Sequence, residues 1–423
     1  MVPMAAPTTY LPRIVDRELS DRLAATGAVV IEGPKACGKT ATARQLAASE
    51  VRFDVDQNAV LAAAVNPQLV LEGPKPRLLD EWQLAPEIWN HVRRAVEDQH
   101  QGDLYILTGS ARPPDDITRH SGAGRITRLR MRTMSLFESG FSNGAVSLRE
   151  AMGGENVEAT DPGYRLEDVV EQLVHGGWPG WHNLGTAQAQ RAIRDYLGEI
   201  SRVDLSQVSD RRADPERVQR LLRSFSRNVA TYSSISTLAA DARGVDGTLD
   251  RNTVVGYLAA LNQLMVVEDQ PSWEPHLRSR YRLRKAEKRH FVDPSLAVAA
   301  LRTGTEALLR DLNFLGLLFE SLVVRDLRIY AQDQEASVLQ YHDEKDFEVD
   351  VILECASGAW AAFEVKLGGK AIEEGAAHLL RFIERLDTEK SGRPSLLAVI
   401  TASGFAYRRP DGVAVIPITT LKP

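Results

Sequence analysis

Between residues 28 and 137, short apolar runs alternate with stretches of helical period. The runs at 28–31, 77–79 and 104–107 have the length of buried strands, and the stretches at 40–48 and 87–97 repeat at helical spacing. Strands alternating with helices predict a parallel α/β sheet whose ligand lies at the carboxyl ends of its strands. Residues 140–163 are rich in glycine and polar side chains and read as a boundary or a long insertion. From 166 to about 269 the period is helical, with candidates at 167–174, 187–197, 215–229 and 253–264. The order helix at 235–242, polar turn, second helix, then Met265-Val266-Val267 predicts either a winged-helix unit or a helical connector with no nucleic-acid role. Beyond 313 the pattern is mixed again: a helix at 314–330, two alternating runs within 348–366, a helix at 373–386 and a strand at 396–401.

A chain of 423 residues is too long for one core, and these textures divide it into an α/β domain at 1–145, a helical connector at 146–210, a winged-helix-like domain at 211–290 and a mixed α/β domain at 291–423. Hydrophobic content of 43% and charged content of 26% exclude a disordered or collagen-like chain. Cys37 and Cys355 are too few for a disulfide framework, which points to a reducing compartment. Apolar runs fall short of a membrane span, and residues 1–9 lack the basic flank and apolar core of a signal peptide, so a cytoplasmic protein without a membrane partner is expected. The net charge of −6 hides a local excess of +6 between 211 and 289, where 15 Lys and Arg face 9 Asp and Glu. Its densest part holds Arg278, Arg280, Arg282, Arg284, Lys285, Lys288 and Arg289. Alternation at 278–284 lines one strand edge with guanidiniums, a spacing suited to DNA phosphates, although a solvated basic face is the commoner origin of such a run.

Chemistry enters first at Gly33-Pro34-Lys35-Ala36-Cys37-Gly38-Lys39-Thr40, which fits G-x-x-x-x-G-K-[ST] between a strand and a helix. Backbone N–H groups of such a loop wrap the phosphates of ATP, Lys39 reaches the β- and γ-phosphates, and Thr40 ligates Mg²⁺. Asp80-Glu81 ends the run at 77–79, where Asp80 is expected toward the metal and Glu81 toward the attacking water. Thr108-Gly109-Ser110 closes the next strand with hydroxyls suited to sensing the γ-phosphate, Ser110 among them. Arg125, in Gly122-Ala123-Gly124-Arg125, suits an arginine supplied in cis or from a neighbouring subunit of a homo-oligomer; a surface salt bridge is the alternative.

A second constellation lies near the carboxyl terminus. If the runs around Asp350 and Glu364 form a hairpin with a three-residue loop at 356–358, Cys355 pairs with Ala359 and Asp350 sits opposite Glu364, about 4.5 to 5.5 Å apart at Cβ. Lys366 then shares a face with Glu364. Two acids and a lysine in this D…E-x-K pattern suit Mg²⁺-dependent phosphodiester cleavage, and Glu320, on an otherwise apolar helix stripe, is a further candidate metal ligand. An ordinary ionic ladder is the plain alternative.

The motifs Leu11-Pro12-Arg13, the glycine loop, Leu78-Leu79-Asp80-Glu81-Trp82-Gln83, Leu107-Thr108-Gly109-Ser110 and Gly122-Ala123-Gly124-Arg125, in this order, resemble those of bacterial and archaeal AAA+-superfamily ATPases. The similarity extends through His175-Gly176-Gly177-Trp178-Pro179 and Phe291-Val292-Asp293, covering most of the chain; Lys35 and Ala36 stand where Arg and Gln are usual, and Tyr341-His342 where Tyr-Arg is usual. The resemblance implies a P-loop ATPase sheet, a helical or winged-helix middle and a restriction-endonuclease-like C-terminal module binding Mg²⁺ at Glu320, Asp350 and Glu364. It implies an ATPase acting on DNA. The rival is a nucleotide-controlled switch that binds DNA or a protein partner and whose nuclease-like fold is non-catalytic.

Overall fold

The computed structural model describes residues 10–109, 122–208, 213–244, 247, 249–275 and 286–423. The chain forms two compact units, residues up to 132 with 178–180, and residues 133–177 with 181–423. The division expected at 145/146 thus falls at 132/133.

The first unit is built on β1 (Ala28–Glu32), β2 (Ser49–Arg52), β3 (Arg77–Asp80), β4 (Tyr105–Gly109) and β5 (Ile126–Arg130), all parallel, in the order β2-β3-β4-β1-β5. Every residue of β1 and β4 is buried, as a parallel sheet covered on both faces requires. The period of two sorts the core: Ala28, Val30, Leu79 and Leu107 face one apolar cluster with Trp82 and Trp89, while Val29, Ile31, Leu78 and Ile106 face another with Leu19 and Leu23. The chain leaves β1 toward one edge and β4 toward the other. That reversal opens a crevice at the carboxyl ends of β1 and β4, where the glycine loop follows β1.

In the second unit, β6 (Val146–Ser147) comes first, followed by helices Leu166–His175, Thr186–Glu199 and Pro215–Arg227, then Ile235–Asp241 and Arg251–Gln263. Within the polar stretch at 140–163, expected to be a boundary or a long insertion, β6 pairs with β13 (Leu421–Lys422) at the far end of the chain. After Arg251–Gln263 the chain makes antiparallel bridges Val267–Phe291 and Gln270–Lys288, and residues 276–285 lie outside the described residues. The alternation at Arg278 to Arg284 falls among them.

The last 110 residues or so form a six-stranded sheet of β7 (Ala336–His342), β8 (Glu348–Cys355), β9 (Trp360–Lys366), β10 (Leu396–Thr401), β11 (Tyr407–Arg408) and β12 (Ala414–Pro417), ordered β11-β12-β10-β9-β8-β7. Helix Leu312–Gln332 packs on β7, β8 and β9 and is buried along most of its length. The β8–β9 hairpin has the expected register, with Val351 opposite Phe363 and a turn closed by Cys355 and Ala359.

Candidate functional site

In the first unit the loop from Gly33 is held open by steric and covalent necessities of its backbone. A Cβ on Gly33 would come within 2.3 Å of the Met131 carbonyl, and Gly38 sits at φ 103°, where a side chain is strained. Ala36 also adopts a positive φ of 63°. Pro34 and the exposed Lys35 complete the outer turn, and the Cys37 thiol is fully buried, a packed group rather than a reactive one. The Lys39 ammonium is buried and donates to the Gly33 and Pro34 carbonyls at 2.9 Å each, tethered to the start of the loop. Arg13 donates to the Cys37 and Arg132 carbonyls, both at 2.9 Å, and braces the loop from outside; only its place in a motif pointed to it beforehand.

Two hydroxyls converge on Asp80. Thr40 Oγ1 donates to Asp80 Oδ1 at 2.9 Å, and Thr108 Oγ1, on the strand between β1 and β3, donates to the same oxygen. The register explains this: Thr108 is paired with Ile31 on one side and Asp80 on the other. A threonine hydroxyl beside a buried carboxylate is a hard-oxygen pair that suits Mg²⁺, an ion that keeps several waters and takes few protein ligands. Glu81 follows in the left-handed region at φ 54°, and its carboxylate accepts from Gln83 Nε2. Gly109 lets Gln83 approach, since a Cβ there would meet Gln83 Oε1 at 2.5 Å. Gln83, like Arg13, was marked in the sequence only by its place in a motif. Ser110 lies outside the described residues.

Arg125 is not at this site. It precedes β5, whose Ile126 pairs with Ala28 and whose Arg130 pairs with Glu32, so it stands at the sheet edge opposite the loop, roughly 16 Å away along five residues of strand. There it pairs with Glu97 at 3.2 Å. A cis role is therefore corrected; a role toward a neighbouring copy is left as a proposal.

The second cluster gathers around Asp350. The hairpin ladder stops at Val351–Phe363, and instead of lying flat opposite Glu364, the Asp350 carboxylate accepts from the Val365 N–H at 2.9 Å. Lys366 Nζ donates to Glu364 Oε2 at 2.6 Å and lies 3.5 Å from Asp350 Oδ2; His378 Nδ1 lies 2.9 Å from Glu364 Oε1. Glu320 joins from its helix, so the three acids and Lys366 do share one site. The residue that the sequence reading missed is Lys288. Its side chain is 3% exposed and its ammonium sits 2.7 Å from Glu320 Oε1 and 3.5 Å from Asp350 Oδ1, between the two carboxylates. Burial pushes the Glu320 carboxyl up to about 8 against the pull of Lys288. Burial also opposes the charge of Lys288, but Glu320 and Asp350 hold it protonated above the ordinary lysine range. Asp350, raised by burial, is brought below the ordinary carboxylate range by Lys288, Lys366 and the Val365 N–H.

These residues as arranged do not fit a divalent ion. Lysine ammoniums and a backbone N–H already engage the carboxylate oxygens that would ligate it, and among the described residues no group of three His, Cys, Asp or Glu is placed to hold a metal. In the described part of the basic run, Lys288 is buried and Arg289 is paired with Asp269, while the alternation at 278–284 on which the phosphate-tracking reading rests lies outside the described residues.

Beside the cluster, His290 is fully buried between Ser321 Oγ and Gln270 Oε1. Burial first, then Arg328 and Lys288, hold its pKa well below the usual 6.5. The folded state therefore refuses a proton that the unfolded chain accepts, so stability is lost as pH falls below about 6.5. Thermal melts at pH 7.5 and 5.5 check this: the drop in midpoint is expected to be smaller for His290→Gln than for the wild type, and an equal drop contradicts it.

Asp293 and Arg325 give the quoted Phe291-Val292-Asp293 motif a structural role. Asp293 accepts from Thr133 Oγ1 at 2.8 Å, the Gly177 N–H at 3.0 Å and Arg325 at 3.0 Å, while Asp326 binds Arg325 and the Leu136 N–H. This buried network is why residues 133–177 fold with the second unit.

Comparisons with known proteins agree with the first of these sites. Residues 25–139 match the family profile described as an AAA domain, residues 166–307 a domain of unknown function, DUF8612, and residues 315–421 another, DUF4143. Among solved structures, the Walker-type ATPase PABY2304 of Pyrococcus abyssi is 14% identical, spanning 71% of this chain and 99% of its own with a TM-score of 0.41. No curated protein matches. Residues 25–139 are thus similar to an AAA domain. Among the described residues, no helix is long and apolar enough to cross a membrane.

Proposed function

We infer that the chain binds ATP with Mg²⁺ at Gly33–Thr40 and hydrolyses it, and that the second unit reads out the nucleotide state. The observation that carries this is the convergence of Thr40 and Thr108 on Asp80 beside the tethered Lys39. Lys39 is placed for the β- and γ-phosphates, and the loop N–H groups for the rest of the triphosphate. Thr40 and Asp80 would hold Mg²⁺ with its waters, and the ion would supply charge neutralisation on the triphosphate. Glu81, positioned by Gln83, orients and deprotonates the attacking water. Glu81→Gln is expected to keep ATP affinity within about twofold and lower phosphate release about 100-fold or more, as the loss of a general base does. Phosphate release at the wild-type rate in that variant removes Glu81 from the mechanism.

A specific observation favours the non-cleaving form of the C-terminal domain. Lys288 supplies between Glu320 and Asp350 the positive charge that Mg²⁺ supplies in a cleaving site, so this cluster is neutralised from within. The helical middle supports a partner surface more than a phosphate track. The exposed face of Arg251–Gln263 carries Arg251, Asn252, Val255, Gly256, Ala259 and Asn262, one cation across more than three turns. Together these features support the switch reading, with DNA or a protein as the partner, over an ATP-driven nuclease.

A further inference from the structure

Helix Thr186–Glu199 runs on through a π-helical turn at Ile200–Asp204, and Arg191, Arg194, Gly198 and Arg202 share one side of it at spacings of three, seven and eleven residues. Helix Ser295–Leu301 packs against it and ends in Arg302, whose backbone turns into the left-handed region at φ 53°. Between them lies a cavity of about 700 Å³ lined by those four arginines, Asp195, Glu199 and Gln219. A smaller recess of about 70 Å³, walled by Leu197, Leu222 and Ala299, adjoins it.

Three observations point to a ligand. Some exposed arginines elsewhere pair with carboxylates, as Arg227 does with Asp241 and Arg149 with Asp333. No ion pair among the described residues engages Arg191, Arg194, Arg202 or Arg302. Asp195 lies four residues after Arg191 and Glu199 three before Arg202, yet neither spacing is used for an ion pair. Second, four cations against two anions leave the cavity at +2, in a volume typical of small-molecule sites and too small for a duplex. Third, Gly198 is unfavourable inside a helix, and a Cβ there would meet nothing within 4 Å, so its absence keeps the cavity floor clear without relieving any clash.

We propose that this cavity binds a small molecule carrying at least two phosphate groups on a hydroxyl-bearing body. Guanidinium forks match phosphate oxygens two at a time, while Asp195, Glu199 and Gln219 accept hydrogen bonds from hydroxyl or amino groups. The acids interleaved with the arginines favour such a body over a continuous nucleic-acid backbone. The cavity shares no residue with the glycine loop, and the experiment uses the full chain with Lys39→Ala, which weakens binding at the loop.

Titration calorimetry with pyrophosphate, ADP, fructose 1,6-bisphosphate and a single-stranded DNA dodecamer tests the proposal. Saturable 1:1 binding of ADP or of the sugar bisphosphate is expected, the two arms identifying a nucleoside or a sugar body. Affinity is expected to fall about tenfold or more in Arg194→Gln and in Arg302→Gln, each a lost charge-assisted contact, and to vanish in Gly198→Glu. All three positions are open enough that melting midpoints should match the parent. No binding of any phosphorylated probe, binding that these variants leave unchanged, or binding of the dodecamer alone overturns the proposal.

Discussion

Lys288→Met is expected to remove about 3 to 5 kcal/mol of folding stability, the cost of leaving buried carboxylates without their cation. Lys288 is 3% exposed at its side chain and its ammonium is shared by Glu320 and Asp350. Truncation removes the ammonium bonded to Glu320 and leaves Asp350 with Lys366 as its nearby cation. A domain stable by about 5 to 15 kcal/mol would lose a large fraction of that margin, so the second unit should melt well before the first. The double variant Lys288→Met/Glu320→Leu is expected to recover most of the loss, because removing both partners of a buried pair is far less costly than removing one. Millimolar Mg²⁺ should raise the midpoint of the single variant and leave the wild type unchanged, since an ion that binds only the folded state stabilises it by mass action. A wild-type midpoint that rises with Mg²⁺ would instead make the cluster a metal site as it stands.

Lys39→Ala is expected to lower ATP affinity about 100-fold and reduce hydrolysis to background. A lysine bonded to a phosphate is a charge-assisted contact worth up to about 3 kcal/mol, and its loss also removes charge stabilisation as the γ-phosphoryl group leaves. The fold should persist, because the ammonium's two bonds in the structure go to carbonyls of its own loop, Gly33 and Pro34. Equilibrium binding of a fluorescent ATP analogue, phosphate release and a thermal melt on one preparation separate these effects.

What was legible in the sequence was local. The glycine loop is a contiguous motif whose spacing dictates its own backbone, and the strand before it and helix after it were visible as apolar period. The β8–β9 register followed from strict alternation and a three-residue turn, and it holds through Val351–Phe363. It breaks where chemistry takes over, at Asp350, whose side chain seeks the Val365 N–H. Lys288 was hidden because its partners are 32 and 62 positions away, and within a basic run it looked like one more solvated cation. Arg125 was misplaced because a glycine-rich approach says nothing about which end of a sheet it meets; the direction of β5 decides that. The polar stretch at 140–163 read as a boundary or a long insertion because its strand partner, Leu421, lies at the other end of the chain.

Titration calorimetry of ATP with Mg²⁺ into the wild-type full chain tests the central claim most directly. Saturable heat from one Mg²⁺-dependent site per chain, weakened about 100-fold by Lys39→Ala and weakened again when Mg²⁺ is chelated, is the predicted result. Folded protein that gives no heat with either ATP or ADP would contradict it.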